Sequence, residues 1–238
     1  MDEEGRLRRG IAEVGRLMYE KGFIAATDGN ISARLGDDRL VITPSGVCKG
    51  FLTPDQMSVI ALEDLAADAA SPTAGGSIST EIRMHLAVYR ERPDVRAVCH
   101  GHPPHAVAFT LAGLDLNKAV IPEIVVTLGT IPTAPYGTPG TDELPDSIRE
   151  TIRCSDAMLL ERHGALCVGK NLTEALQRME QVEHTAKIVY LAKTLGSLKT
   201  LDPDQVARLL QTRADLGIDS MNTICSLCGG PMHKGHEH

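Results

Sequence analysis

The chain has 238 residues, of which 42% are hydrophobic and 23% charged, enough for one large domain with a core that needs no disulfide staples. Its 24 Lys plus Arg against 31 Asp plus Glu give a formal net charge of -7, and with no Trp, 4 Tyr and 3 Phe it has neither the basic surface nor the stacking rings of a nucleic-acid binder. No apolar run approaches the roughly 20 residues that span a bilayer, and the acidic start Met1-Asp2-Glu3-Glu4 lacks a signal-peptide core, so a cytoplasmic protein without nucleic-acid or membrane partners is expected.

Leu7, Ile11, Val14, Leu17 and Met18 recur at helical spacing over 3–21, and Gly22 follows as a stop. The turn-forming Thr27-Asp28-Gly29-Asn30 leads into a strand at 31–35, and a second strand, 39–42, enters the loop Thr43-Pro44-Ser45-Gly46. Residues 65–78, rich in Ala, Gly, Ser and Pro, read as a surface loop. Ser79 reads as the N-cap of a helix through about Arg90. A buried strand fits 95–99, and Pro103-Pro104 suits the first turn of the next helix. Strand signals return at 119–127, 130–134, 157–160 and 165–168, and helices fit 142–153, 172–195 and 203–215. Interleaved strands and helices without a GxGxxG or P-loop pattern predict one α/β domain over 1–216, followed by a tail at 217–238.

The densest chemistry lies in Cys99-His100-Gly101-His102-Pro103-Pro104-His105. Strand side chains alternate, so His100 and His102 project to one face and can reach one metal ion. His163, after the apolar run 157–160 and before Gly164, offers a third imidazole at a strand-to-turn junction. Three imidazoles with an open fourth position describe a catalytic zinc site, and Glu81 is available as an oxygen ligand or base. Spacing alone does not bring His163 or Glu81 to His100.

The segments TDGNISARL, VITPSG, STEIRMH, VCHGHPPHAVAF, IPTAPYGTPGT and LLERHGALCVG, in that order, resemble the class II aldolase/adducin family. The resemblance implies a central, mostly antiparallel β-sheet covered by helices, and a homotetramer with active sites between subunits. It implies one catalytic Zn2+ per chain, held by His100, His102 and His163, with Glu81 as ligand at rest and base when substrate displaces it. It also implies a phosphate pocket of Thr27, Gly29, Asn30, Ser45, Gly46, Ser79 and Thr80. Hydroxyls, an amide and turn N–H groups can hold a phosphate without a basic cluster.

The activity implied is cleavage of a phosphorylated ketose, such as fuculose 1-phosphate or a 5-deoxypentulose 1-phosphate, to dihydroxyacetone phosphate and an aldehyde through a metal-stabilised enediolate. Two alternatives remain, a dehydratase or 4-epimerase on a pentulose phosphate and a non-catalytic adducin-like interaction module. Glu81 leans towards the aldolases, since the resembled epimerases carry Asp there and the dehydratases no carboxylate. The Tyr that fuculose-phosphate aldolase uses is missing from Val120-Ile121-Pro122-Glu123, where Glu123 resembles the dehydratases' acid/base. Tyr136 is expected to be a buried structural residue. His85 and His105 are expected to support or pack, and His184 to lie on the surface or pack.

Cys48, Cys99, Cys154 and Cys167 read as reduced, packed thiols. In the tail, Cys225, Cys228, His233 and His238 have the spacing of a zinc knuckle, a candidate second metal site with His236 as a further donor.

Overall fold

The computed structural model describes residues 2–62 and 78–218. The expected loop over 65–78 therefore lies outside the described residues except for Ile78, and so does the Cys225, Cys228, His233 and His238 cluster. Chain order is α1 (Glu3–Glu20), β1 (Asn30–Leu35), β2 (Arg39–Ile42), two short 3-10 turns, β3 (Ser58–Ala61), α2 (Ile82–Glu91), β4 (Ala97–Gly101) and α3 (Pro104–Leu111). Then come α4 (Pro122–Thr127), β5 (Thr133–Ala134), α5 (Glu143–Ile152), β6 (Ala157–Leu160), β7 (Gly164–Gly169), α6 (Leu172–Leu195) and α7 (Pro203–Asp215).

The seven strands form one sheet in the order β3-β2-β1-β4-β7-β6-β5, antiparallel throughout except for the parallel β5–β6 edge. Helices cover both faces, so the central strands are buried on both sides and read as nearly continuous apolar runs. On one face Ala97 and Cys99 of β4 and Ala165 and Cys167 of β7 pack with Ile11, Val14 and Met18 of α1 and Met179, Val182 and Ala186 of α6. On the other, Val98, Leu166 and Val168 pack with Met84 and Val88 of α2 and Ile148 and Ile152 of α5.

The strong periodic elements fall where the sequence puts them, and three expectations are corrected. The strand signal over 119–127 is instead α4. Pro122, which has no N–H to give a strand, sits in its first turn, and Val125 packs against Val206 of α7. Ser79 does not cap α2: the helix starts at Ile82 with Glu81 in the cap position, and the Ser79 hydroxyl accepts from the Glu81 N–H at 3.3 Å. Tyr136 is 52% exposed rather than buried. The strand β3 had no counterpart in the pattern, and β5 is shorter than its signal.

Candidate metal centre and the pocket beside it

Four separate segments deliver the site. Cα pairing sets Asn30 of β1 opposite His100 of β4, and His100 opposite Leu166 of β7. Alternation turns His100 to the α2 side of the sheet, where Glu81 stands at the start of that helix. His102 follows the strand, its N–H bonded to the Phe23 carbonyl at 2.7 Å. His163 sits in the tight turn between β6 and β7, just after Arg162, whose φ of 59° is rare for a side chain with a Cβ. The Arg162 N–H is held by the Thr110 hydroxyl at 3.1 Å.

The three imidazoles converge. Nε2 of His100 and Nε2 of His102 are 3.2 Å apart, and the candidate ligand atoms of His100, His102 and His163 all lie within 4.8 Å of one another. Glu81 lies against two of them, with Oε2 3.3 Å from His100 Nε2 and Oε1 3.1 Å from His163 Nε2. Nδ1 of His100 donates to the Ala165 carbonyl at 3.0 Å, which leaves Nε2 as the bare nitrogen in the cluster. Burial pushes His100 down to about 3 and also lowers His102, with His163 adding to both. Burial opposes the charge on Glu81, but His100 beside it and hydrogen bonds from His163 and Asn30 hold its carboxyl well below the usual range.

Neutral imidazoles around an ionised carboxylate are the donor set a divalent metal takes. Ligand nitrogens about 2.0–2.1 Å from one tetrahedral ion sit about 3.3–3.4 Å from each other, by geometry from those bond lengths. The 3.2 Å spacing of His100 and His102 fits that requirement. These residues could therefore hold one ion.

The expected phosphate residues are partly gathered here. Pro44 bridges Ile78 in the antiparallel sense, which ties the loop that carries Ser45 and Gly46 to the segment leading into Ser79 and Thr80. Thr43 ties the same loop to β1, since its hydroxyl accepts from the Ile31 N–H at 3.1 Å, next to Asn30. Gly29, with φ of 73°, packs so closely that a Cβ would fall 2.9 Å from the His100 carbonyl oxygen. Asn30 donates to Glu81 Oε2 at 2.7 Å.

Other expectations fare differently. Glu123 is exposed on α4 and forms no side-chain hydrogen bond or ion pair among the described residues. His85 is fully buried in a hydrogen-bonded support, His105 bonds Glu183 at 2.7 Å, and His184 is exposed. Cys99 and Cys167 are buried free thiols, and Cys48 and Cys154 are half-buried free thiols. Sequence reasoning passed over two residues. Asp28 places a carboxylate oxygen 3.5 Å from His102 Nδ1, and buried Lys49 donates to the Thr27 carbonyl at 2.6 Å. A lysine inside the otherwise apolar Val47–Leu52 stretch was the available signal. No helix among the described residues is long and apolar enough to cross a membrane.

Residues 9–190 match the family model for the class II aldolase and adducin N-terminal domain. The chain is 32% identical over 215 residues to a 3-oxo-tetronate 4-phosphate decarboxylase of Pectobacterium atrosepticum, covering 88% of this chain and 94% of that protein. It is 31% identical over 204 residues to a 5-deoxy-D-ribulose 1-phosphate aldolase of Bacillus thuringiensis serovar kurstaki, covering 85% and 92%. The crystal structure of L-fuculose-1-phosphate aldolase from Thermus thermophilus superposes with a TM-score of 0.69 at 33% identity, over 82% of this chain and 99% of that one. The chain belongs to the class II aldolase and adducin family and, as in these relatives, is a lyase.

Proposed function

We propose that this protein is a zinc-dependent lyase that breaks a carbon–carbon bond beside the carbonyl of a phosphorylated sugar derivative and releases dihydroxyacetone phosphate. The leading substrate class is a 3-oxo sugar-acid phosphate, from which the bond to the carboxylate is broken. The observation that carries the reading is the convergence of His100, His102 and His163 with the Glu81 carboxylate beside them.

A divalent ion held by the three histidines would supply Lewis-acid polarisation of the substrate carbonyl and the adjacent hydroxyl. The rest falls to the chain's own groups. Asn30, Ser45, Gly46, Ser79 and Thr80, with the Thr27–Gly29 turn, would hold the phosphate. Lys49, tied to the Thr27 carbonyl, would supply positive charge beneath that turn. Glu81, ionised at rest, would take the proton of the bound substrate's hydroxyl and pass it to the carbon that loses its partner, with water returning a proton to the product oxygen.

Decarboxylation and aldol cleavage share this half of the reaction. When the carboxylate leaves as carbon dioxide, the bonding electrons pass into an enediolate, and its carbon takes the proton. Aldol cleavage needs one thing more, a base for the hydroxyl on the departing aldehyde carbon. Glu123, the residue expected to act as acid/base, is exposed on α4. Carboxylate loss is favoured by the likeness to the tetronate decarboxylase over nearly the whole of both chains. Aldol cleavage of a 5-deoxypentulose 1-phosphate is the second reading, favoured by the likeness to the deoxyribulose-phosphate aldolase.

The test is product analysis of the zinc-loaded protein on 3-oxo-tetronate 4-phosphate, 5-deoxyribulose 1-phosphate and fuculose 1-phosphate. Equal amounts of carbon dioxide and dihydroxyacetone phosphate from the first support the leading reading. An aldehyde with dihydroxyacetone phosphate from either ketose moves the assignment to the aldolase. Substrate loss without a three-carbon phosphate contradicts both. The expected homotetramer is part of the same proposal, and light scattering on the purified protein would test it.

A further inference from the structure

The face of β1 turned towards α2 carries three polar side chains in a row, Asn30, Ser32 and Arg34, all buried. A polar strand face under a helix must find partners, because an unbonded buried polar group loses its water and gains nothing in return. Here the partners form a chain whose direction the chemistry dictates.

The Glu81 carboxylate is ionised and can only accept, so the Asn30 amide nitrogen faces it at 2.7 Å. The Asn30 carbonyl oxygen is then the atom facing His85 Nε2 at 2.5 Å, and Nε2 must carry the hydrogen. Burial pushes His85 down to about 4, so the ring is neutral and its Nδ1 is bare. Nδ1 therefore takes the Ser32 hydroxyl hydrogen at 2.7 Å, and the Ser32 oxygen accepts from the Tyr89 hydroxyl at 2.9 Å. Tyr89 is anchored in turn, with its backbone carbonyl bonded by Arg34 at 3.0 Å and the Arg34 guanidinium 5.0 Å from its ring centre.

We propose that His85, with Ser32 and Tyr89 behind it, is a positioning residue for Glu81. The one-way chain Tyr89–Ser32–His85–Asn30–Glu81 locks the Asn30 amide so that its N–H, and not its carbonyl oxygen, faces the carboxylate. A flipped amide would set an oxygen against Glu81 Oε2 and drive that carboxylate off its place beside His100. Among the described residues His85 hydrogen-bonds no candidate metal ligand, and Asn30 is the link that joins it to Glu81. The role assigned to Glu81 rests on the function proposed above, whereas the direction of the chain does not.

Two measurements test it. Nitrogen-15 shifts of the histidine rings, in zinc-loaded protein with His85 assigned through a His85→Gln variant, are expected to show His85 protonated at Nε2 only. A ring protonated at Nδ1 would reverse every link and overturn the proposal. The second measurement is cobalt(II) affinity of metal-stripped protein carrying Cys225→Ser and Cys228→Ser, so that the tail thiols take none.

His85→Leu is expected to weaken cobalt binding about 10- to 100-fold, the usual cost of losing a partner that orients a ligand. His85→Gln, which offers an N–H to Asn30 and an oxygen to Ser32, is expected to restore it to within a few-fold. A residue that merely fills space would not be rescued by that polarity. Unchanged affinity in His85→Leu, or no rescue by Gln, overturns the proposal. Should His85→Leu not fold, Ser32→Ala and Tyr89→Phe take its place with smaller losses expected, and affinity equal to the parent in both would overturn it. Absence of lyase activity would remove the function proposed for Glu81 and leave both measurements as valid judges of the chain.

Discussion

Gly164 at the start of β7 faces the ring of His102 so closely that a Cβ there would lie 2.8 Å from His102 Cδ2 and 3.0 Å from His100 Cε1. It would also run into the Gly101 carbonyl, on the neighbouring strand. Backbone replaces side chain at this point because the Gly101 carbonyl and two imidazoles occupy the space. Gly164→Ala should therefore keep the fold but splay the rings, lowering zinc affinity by about tenfold or more, the cost of disturbing ligand orientation. Competition against a chromophoric chelator reads this directly, and affinity equal to the parent protein would show that the rings do not need that space.

Among the described residues, Glu81 is the one carboxylate within reach of two of the three imidazoles. Glu81→Gln keeps its shape and an oxygen for Asn30 but cannot carry a proton. At saturating zinc the metal content should largely remain, since the three imidazoles still hold the ion at a lowered affinity, while kcat falls about 100-fold or more, the usual contribution of a placed acid/base. Elemental analysis with turnover on the same preparation checks it. Retained turnover would remove Glu81 from the proton-carrying role.

How much of this was legible beforehand follows from range. The periodic helices at 3–20, 172–195 and 203–215 are local patterns, and the structure has them within a residue or so. The strand β1 was legible as a strand, but its alternation of polar and apolar residues gives no hint that the polar face lies buried under α2. That depends on His85 and Tyr89, more than 50 residues away. Spacing could pair His100 with His102, but only the β4–β7 ladder brings His163 to them. The helix α4 was misread because Ile124-Val125-Val126 favours a strand by propensity, and the deciding contact with Val206 is distant in sequence.

The two core cysteines should be chemically silent. Burial pushes the Cys99 thiol up to about 12 and Cys167 well above its ordinary value, so neither offers thiolate at pH 8. Iodoacetamide followed by peptide mapping should label Cys99 and Cys167 only after denaturation. Half-buried Cys48 and Cys154 should label in the native protein. Rapid native labelling of Cys99 would mean that the sheet opens between β4 and β7.

Away from the site, buried Arg92 holds Asp156 at 2.9 Å and Asp94 at 2.7 Å and donates to the Ile152 carbonyl at 3.2 Å. Removing it leaves the buried Asp156 carboxylate facing Arg178 at 3.1 Å without its second guanidinium. Arg92→Met should cost about 3 kcal/mol, as for other broken buried pairs, seen as a lowered urea midpoint. Asp94 adds a pH signature. Its carboxyl is held below the usual range by the Arg92 hydrogen bond, so its contribution is present above the unfolded pKa of about 3.9 and is lost as pH falls through the lower folded value. Asp94→Asn should therefore flatten the melting temperature against pH below about pH 4. Because Asp94 is largely exposed, the change should be small. An unchanged slope would show that the pair contributes nothing in solution.

The central claim is that His100, His102 and His163 hold one divalent ion on which carbon–carbon cleavage depends. Its most direct test is the rate of dihydroxyacetone phosphate release from 3-oxo-tetronate 4-phosphate as zinc is added back to chelator-stripped protein. The stripped protein should be silent, added zinc should raise the rate to a plateau, and His163→Ala should stay silent at every zinc concentration. Full release from stripped protein, or a normal zinc response in His163→Ala, would contradict the account.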